Sequence, residues 1–301
     1  MENYHNPALL SQTIEGLKIN PDGIYVDLTY GGGGHSREIL SRLRTKGRLI
    51  VFDQDEDAFN NIIDDERLIF VQHNFRFLYQ FLKFYEMIPV DGILADLGVS
   101  SHHFDSPERG FSFRLDGELD MRMNRNFSES ARTLVNSYDD ERLAKVFRIY
   151  GEIPCSKRLA RQIASISATH TISTTTELKE IALKFAPKND KNRYLSQVFQ
   201  AIRIEVNNEM SALKEMLEAS VKVLKQDGRL VIISYHSLED RMVKNFFKSG
   251  DVEKSEPETD IYGNVNKPFK IINRKVIVPD EQEIKDNPRV RSAKLRIAEK
   301  M

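Results

Sequence analysis

Short apolar runs of strand length recur along the first hundred residues, and three of them close on an acidic residue. The predicted strands span residues 24–28, 48–53, 68–71 and 90–96, with Asp27, Asp53 and Asp96 at or next to three of their ends. Helical stretches separate these runs, and the alternation predicts a parallel sheet. Because parallel sheets bind ligands beyond the carboxyl ends of their strands, we expect all three carboxylates to face one crevice.

The first strand runs into four consecutive glycines, Gly31–Gly34, which a strand cannot continue through. Ser36 is predicted to cap the helix that follows, so the segment forms a cradle for a nucleotide-like ligand. The dinucleotide fingerprint fails, because its third glycine would fall at Ser36. The spacing Asp27-x-Thr29-x-Gly31-x-Gly33 instead resembles the acidic-x-Gly-x-Gly-x-Gly turn of S-adenosylmethionine-dependent methyltransferases, with threonine replacing the first glycine. A flexible surface loop is the weaker alternative.

Two further positions suit a nucleoside-like ligand. Asp53 follows Gly31 by 22 positions, near the offset at which a carboxylate accepts hydrogen bonds from ribose hydroxyls. The acids of 55–57 are expected to supply the first turn of the next helix. Phe75 follows the third strand, where its ring is placed to pack on an adenine face.

The sequence pattern changes near residue 104, where predicted strands are followed by a loop rich in arginine and aromatic residues. Helices are predicted over 140–150, 156–168 and 174–185, followed by a long helix from Tyr194 and a fifth strand over 229–234. We therefore predict an α/β protein with a doubly wound, Rossmann-like class I methyltransferase sheet. Residues 1–103 and 199–301 would form this sheet domain, and 104–198 an inserted, mainly α-helical domain.

The distribution of charge limits the kinds of partner that the chain could bind. The chain has 301 residues with a net charge of −1, so no overall field indicates a polyanionic partner. Six basic residues face two acidic ones over 141–161, which suits an RNA-facing patch and a solvated helix surface equally well. A compact basic tail that suits phosphate contact is formed by Arg289, Arg291, Lys294 and Arg296.

No sign of secretion, membrane insertion or metal binding appears in the sequence. The single cysteine, Cys155, cannot form an internal disulfide and fits a reducing compartment. No Cys/His cluster has metal-ligand spacing, no apolar run approaches the roughly 18 residues of a membrane span, and the N-terminus is unlike a signal peptide. We expect a cytoplasmic protein with no membrane partner and no metal.

Several longer motifs, in the same order and over nearly the whole chain, closely resemble the bacterial 16S ribosomal RNA (cytosine-N4) methyltransferases. These enzymes modify one cytidine at the decoding centre of the small ribosomal subunit. The motifs lie at residues 5–9, 27–36, 91–101, 109–113, 117–123, 199–207, 234–241 and 287–292. The chain departs from the family pattern at His103, where glutamine is frequent, and at Glu205, where an apolar residue is usual.

The resemblance implies a cofactor, a partner and a set of contacts. The implied S-adenosylmethionine contacts are Gly33, Gly34, His35, Asp53, Phe75, Asp96 and His103. The implied partner is 16S rRNA in the small subunit or a late precursor, recognised with help from the helical insertion. Homodimer formation is left open.

The chemistry of the reaction suggests three catalytic residues. The exocyclic nitrogen of cytosine is a poor nucleophile, so the enzyme must position it, exclude water and accept its proton. Asp96 is predicted to accept that proton, while Ser234 and His236, which flank Tyr235 after the fifth strand, are predicted to contact the base. The alternatives are an N-methyltransferase acting on another RNA, a protein or a small molecule, and a nucleotide-binding module or nicotinamide enzyme.

Overall fold

The structure is a computed structural model that describes residues 7–256 and 267–301, with the side chains of residues 101 and 102 left out of the description. His5 and Asn6, which open the first motif, lie outside these residues. The chain divides into two compact units. The sheet unit takes in the chain up to Gly98 and again from Met210, and the helical unit is Val99–Glu209.

A seven-stranded sheet forms the centre of the sheet unit. Its strands are β1 (Ile24–Asp27), β2 (Arg48–Phe52), β3 (Leu68–Val71), β4 (Val90–Asp96), β5 (Leu224–Ser234), β6 (Phe269–Ile271) and β7 (Lys294–Lys300). The spatial order is β3-β2-β1-β4-β5-β7-β6, with β1 to β5 parallel and β7 antiparallel to both neighbours. The strand order reverses between β1 and β4, and doubly wound sheets bind ligands at this switch point.

Helices pack on both faces of the sheet and build the second unit. They are α1 (Leu10–Leu17), α2 (Gly34–Arg42), α3 (Leu78–Phe84), α4 (Ser101–Asp105), α5 (Ala131–Ser137), α6 (Asp140–Tyr150), α7 (Ser156–Ser167), α8 (Thr175–Leu183), α9 (Lys191–Asn207), α10 (Glu209–Val223), α11 (Ser237–Ser249) and α12 (Glu281–Asp286). Within the described ranges, none of these helices has the length and apolar character needed to cross a bilayer.

The alternation of side chains along β2 shows how the two faces are covered. Leu49 and Val51 are buried with residues of α1 and α2, whereas Ile50 and Phe52 are buried with residues of α3, α10 and α11. A strand with both faces covered by helices is characteristic of a parallel, doubly wound sheet. The predicted α/β fold class is therefore confirmed.

Element boundaries differ from the prediction in two places that matter for the sheet. After Asp53 the chain forms a 3₁₀ helix, Glu56–Asn61, capped by the Asp55 side chain, rather than the predicted α-helix. Strand β5 is longer than predicted, because Leu224 pairs with Val90 of β4. Both differences arise from local hydrogen bonding that hydrophobic periodicity does not encode.

The helical unit, α4 to α9, encloses its own hydrophobic core. It begins earlier and ends later than the predicted insertion at 104–198. Its later end follows from α9, a continuous helix whose second half contributes Phe199, Ile202 and Val206 to this core. A boundary placed by the return of strand patterns cannot anticipate which core a helix joins.

Candidate active site

The turn between β1 and α2 is held in a left-handed conformation by glycine. Gly33 is the N-cap residue of α2, with φ of 72°, and Gly31 has φ of 51°. Only glycine adopts such angles without strain. The prediction that Ser36 caps this helix was wrong, because the helix begins two residues earlier, at Gly34. Ser36 is instead buried and donates to Oδ2 of Asp27 at 2.6 Å.

The glycine turn leaves open space on one side. A Cβ added at Gly31 would meet no atom within 4 Å, whereas one at Gly33 would lie 2.8 Å from the Tyr30 hydroxyl. At Gly34 the added Cβ would lie 2.9 Å from Pro7. Two of the glycines are therefore required by packing, and Gly31 keeps side-chain atoms out of a space beside the strand ends.

A hydrogen-bond chain ties the ends of β1 and β4 together. The backbone N–H of Asp96 donates to Oγ1 of Thr29 at 2.7 Å, and the backbone N–H of Thr29 donates to Oδ1 of Asp27 at 3.1 Å. Asp27 is 1% exposed, and burial raises its pKa. Asp27 is therefore a structural brace. The sequence analysis did not predict that Thr29 joins the ends of β1 and β4. The signal available for this role was the threonine at a position where the methyltransferase turn has glycine.

Asp53 is placed by backbone donors on both of its carboxylate oxygens. Gly31 N–H donates to Oδ2 at 2.8 Å, and Asp55 N–H donates to Oδ1 at 2.9 Å. Burial raises the pKa of Asp53 to about 6. The structure thus brings Asp53 directly against the glycine turn, and the remaining lone pairs of a carboxylate can each accept a further hydrogen bond.

Phe75 lies next to the Asp53 segment through a side-chain link. Asn74 donates from Nδ2 to Oε1 of Gln54 at 2.7 Å, which joins the chain after β3 to the chain after β2. The Asn74 side chain also accepts from Arg76 N–H and begins a short 3₁₀ helix at Phe75. The Phe75 ring is partly buried against the sheet core. Its predicted adenine contact stays a prediction.

Asp96 lies beside two side chains that can take part in proton chemistry. Its Oδ1 accepts a hydrogen bond from the Tyr235 hydroxyl at 2.8 Å, and its Oδ2 lies 3.8 Å from Nδ1 of His35. The side chain is 21% exposed. Burial raises its pKa to about 6, against the opposing effects of His35 and the Tyr235 hydrogen bond.

His35 is a buried residue of α2, and the carbonyl group of Ala8 determines its tautomer. Nε2 lies 3.0 Å from the carbonyl oxygen of Ala8. Because a carbonyl only accepts, Nε2 carries the proton, and in the neutral ring Nδ1 presents its lone pair toward Asp96. Burial lowers the pKa of His35, which favours this neutral form.

The two other predicted catalytic residues flank Tyr235 at the end of β5. Ser234 is 2% exposed, and its hydroxyl lies 3.5 Å from the carbonyl of Lys294 in β7. His236 is the N-cap of α11, where its Nδ1 accepts from Glu239 N–H at 3.4 Å. Both side chains thus have structural partners, and their contact with a base stays a prediction.

His103, a predicted cofactor contact, belongs to the helical unit. Its Nδ1 accepts from Ser100 N–H at 3.2 Å, and its ring lies 4.7 Å from that of Phe111, centroid to centroid. The side chain is buried. Its assignment to the cofactor rests on the resemblance.

The predicted basic tail is partly neutralised within the fold. Arg296 donates to Oδ1 of Asp240 at 2.7 Å, and Lys294 Nζ lies 3.6 Å from Oδ2 of the same carboxylate. Lys294 and Arg296 are therefore paired with a carboxylate. The sequence did not reveal this pairing, because Asp240 lies far from β7 along the chain.

The fold and the site together define a class of enzyme. A doubly wound sheet with a glycine turn after its first strand, and carboxylates beside the switch point, is the architecture of the class I S-adenosylmethionine-dependent methyltransferases.

Comparison with known proteins identifies the family. The MraW methylase family matches residues 2–301. The chain is 57% identical over 297 residues to ribosomal RNA small subunit methyltransferase H of Bacteroides thetaiotaomicron, covering 99% of this chain and 97% of that protein. Proteins of the same name from Parabacteroides distasonis and Flavobacterium johnsoniae are 56% and 57% identical, over 99% of this chain and 98% of each relative. The chain belongs to the MraW methylase family, as its motifs indicated, and S-adenosylmethionine is its methyl donor.

Proposed function

We propose that this enzyme methylates the exocyclic N4 of a cytidine in 16S rRNA, near the decoding centre of the small ribosomal subunit. The observation that carries the proposal is the full-length similarity to relatives named ribosomal RNA small subunit methyltransferase H. The proposed substrate is the small subunit or a late precursor, and its place of action would be the cytoplasm. Whether two copies of the chain associate is a separate question, which sedimentation of the purified protein would answer.

The residues of the sheet unit suit S-adenosylmethionine. The open space beside Gly31 lets a ligand approach the backbone, and Asp53 has lone pairs available for ribose hydroxyls. We assign the cofactor to Gly33, Gly34, His35, Asp53, Phe75 and Asp96, with His103 as the further contact that the resemblance implies. When bound, the cofactor supplies a methyl group on a positively charged sulfur.

Asp96 is the proposed proton acceptor. As N4 gains a methyl group it loses one proton, and Asp96 takes up that proton on its carboxylate. With a pKa of about 6, the carboxylate is mostly ionised at neutral pH and still basic enough to act. The Tyr235 hydroxyl, which donates to Oδ1, orients it. Ser234 and His236 are the proposed contacts with the target base.

The test is transfer of tritiated methyl from labelled cofactor to small subunits from cells that lack the modification, followed by mapping of the labelled nucleotide. We expect the label at N4 of one cytidine. Label that survives RNase digestion of the acceptor would contradict the proposal and favour a protein substrate. An absence of label on subunits, with transfer to free nucleosides instead, would favour a small-molecule enzyme.

A further inference from the structure

A concave surface between α6 and α7 lies within the helical unit and is not part of the site described above. We call it the α6–α7 groove, and its volume is about 630 Å³. The groove is lined by Asp139, Asp140, Glu141, Arg142, Ala144, Lys145, Arg148, Ser156, Lys157 and Arg161. Five of these residues are basic and three are acidic.

Amphipathic periodicity places the basic side chains on the outside of both helices. Leu143, Val146 and Phe147 of α6 are buried in the unit's core, as are Leu159 and Ile163 of α7. The basic residues of both helices lie outside this core and are exposed: Arg142, Lys145, Arg148, Lys157 and Arg161. Arg142, Lys145 and Arg148, three residues apart on α6, line the α6–α7 groove. Lys157 and Arg161, four residues apart on α7, line the same groove.

Most of the acidic side chains in the groove already have partners within the fold. Asp139 is the N-cap of α6 and accepts from Arg142 N–H at 2.7 Å. Oδ2 of Asp140 lies 3.9 Å from Nε of Arg161. The guanidinium of Arg142 lies 3.4 Å from the centroid of the Tyr138 ring. Two of the five basic residues of the groove, Arg142 and Arg161, therefore already have partners within the fold.

The other three cations are differently placed. Lys145, Arg148 and Lys157 are exposed and form no ion pair with the parts of the chain that the structure describes. Clustered cations with no ion-pair partner repel one another. The phosphates of a bound polyanion neutralise them, and the counterions released from the polyanion add to the affinity. The groove as a whole keeps an excess of two positive charges, because five basic side chains line it against three acidic ones.

We propose that the α6–α7 groove binds the phosphate backbone of the RNA substrate through Lys145, Arg148 and Lys157. This inference rests on the proposed function for the identity of the RNA. A protein partner fits less well, because stable protein interfaces have an apolar centre, and Ala144 is the one apolar residue lining the groove. Backbone contacts of this kind supply affinity and orientation without reading sequence.

The test is a triple charge reversal, Lys145→Glu with Arg148→Glu and Lys157→Glu, assayed on unmodified small subunits at constant magnesium. We expect KM for subunits to rise about tenfold or more, with kcat and the dissociation constant for S-adenosylhomocysteine unchanged. The dependence of log affinity on log salt should become shallower by about two to three, since each phosphate contact contributes roughly 0.7 to 0.9.

The matched control reverses three exposed cations that precede β1 and β2, at the opposite edge of the sheet from the candidate site: Lys18→Glu, Arg44→Glu and Lys46→Glu. Both variants are checked for an unchanged thermal midpoint. An unchanged KM and salt slope in the groove variant, or an equal change in the control, would overturn the proposal.

A second measurement separates this proposal from the proposed function. Binding of the same variants to protein-free 16S rRNA transcript is measured by filter retention. If the wild-type protein fails to methylate subunits but binds the transcript through the groove, the substrate assignment fails and the groove stands. If the groove variant loses subunit binding while transcript binding is unaffected, the partner is a ribosomal protein and the groove proposal fails.

Discussion

The carboxyl edge of the sheet and the α6–α7 groove organise charge in opposite ways. At the sheet edge, the partly buried carboxylates of Asp53 and Asp96 accept hydrogen bonds from Gly31 N–H and from the Tyr235 hydroxyl. In the groove, the side chains of Lys145, Arg148 and Lys157 are exposed. The first arrangement is rigid, and the second leaves long side chains their rotamer freedom.

The difference matches two different physical tasks. Methyl transfer requires groups that are already positioned, and the protein maintains them against the desolvation that raises the pKa of Asp53 and Asp96 to about 6. A phosphate backbone is recognised mainly through charge, for which flexible exposed cations suffice. Substitutions at the sheet edge should therefore change turnover, cofactor affinity or stability, whereas substitutions in the groove should change only affinity for the substrate.

The largest effect is expected for Asp96→Asn. Loss of the proton acceptor should lower kcat by about 10²- to 10⁴-fold. The pKa of Asp96 is raised above the roughly 3.9 of an unfolded aspartate, so its ionisation destabilises the folded state once the pH exceeds the unfolded value. The variant should be more stable than wild type by about 3 kcal/mol at pH 8, and the difference should vanish near pH 4.

Asp65→Asn is the matched control for the direction of the stability change at pH 8. Arg67 lowers the pKa of Asp65 to about 2, so its carboxylate stabilises the folded state above the unfolded pKa. This variant should be less stable than wild type at pH 8, with kcat unchanged. Urea unfolding at both pH values measures the two differences, and normal turnover by Asp96→Asn would exclude the acceptor role.

A smaller effect is expected for Asp53→Ala. Removing the carboxylate takes away the acceptor of the Gly31 N–H and the proposed ribose contact. The dissociation constant for S-adenosylhomocysteine should rise by about 10- to 100-fold, which corresponds to roughly 1.4 to 2.8 kcal/mol, while kcat at saturating cofactor changes much less. Calorimetry measures the affinity, with the exposed Asp64→Ala as control. Unchanged affinity would remove Asp53 from the cofactor site.

Tyr235→Phe should act through Asp96 and change the pH profile. In the wild type, activity should fall as pH decreases through about 6, because Asp96 becomes protonated. Without the Tyr235 hydroxyl, which stabilises the ionised carboxylate, the pKa of Asp96 should rise and this acid limb should move to higher pH. At neutral pH kcat should fall by about tenfold or less. Tyr79→Phe is the control, and an unshifted limb in Tyr235→Phe would show that this hydrogen bond does not tune Asp96.

The smallest effect is expected for Lys145→Ala in the groove. One lost phosphate contact should raise KM for subunits by about two- to fivefold at physiological salt. The free energy of unfolding should stay within about 0.5 kcal/mol of wild type, because the side chain is exposed and unpaired with described residues. A marked change in kcat or in the thermal midpoint would contradict the claim that substitutions in the groove change only affinity for the substrate.

Much of the architecture could be predicted from local patterns. Strands β3 and β4 have the predicted bounds, and the carboxylate of Asp53 accepts a hydrogen bond from the glycine turn. Short continuous apolar runs, followed by acidic residues and in one case by glycines, form strands and turns that nearby residues determine. By contrast, the helix cap at Gly33 and the 3₁₀ helix after Asp55 depend on individual hydrogen bonds, which propensities do not resolve.

The sequence by itself determined the fold class, the position of the glycine turn and the family, because each depends on short stretches of contiguous residues. Tertiary structure alone decided that the Tyr235 hydroxyl reaches Asp96, that Thr29 joins β1 to β4, and that Asp240 neutralises part of the basic tail. These pairings join residues far apart in the chain. Their geometry depends on how strands and helices pack, so no local pattern carries it.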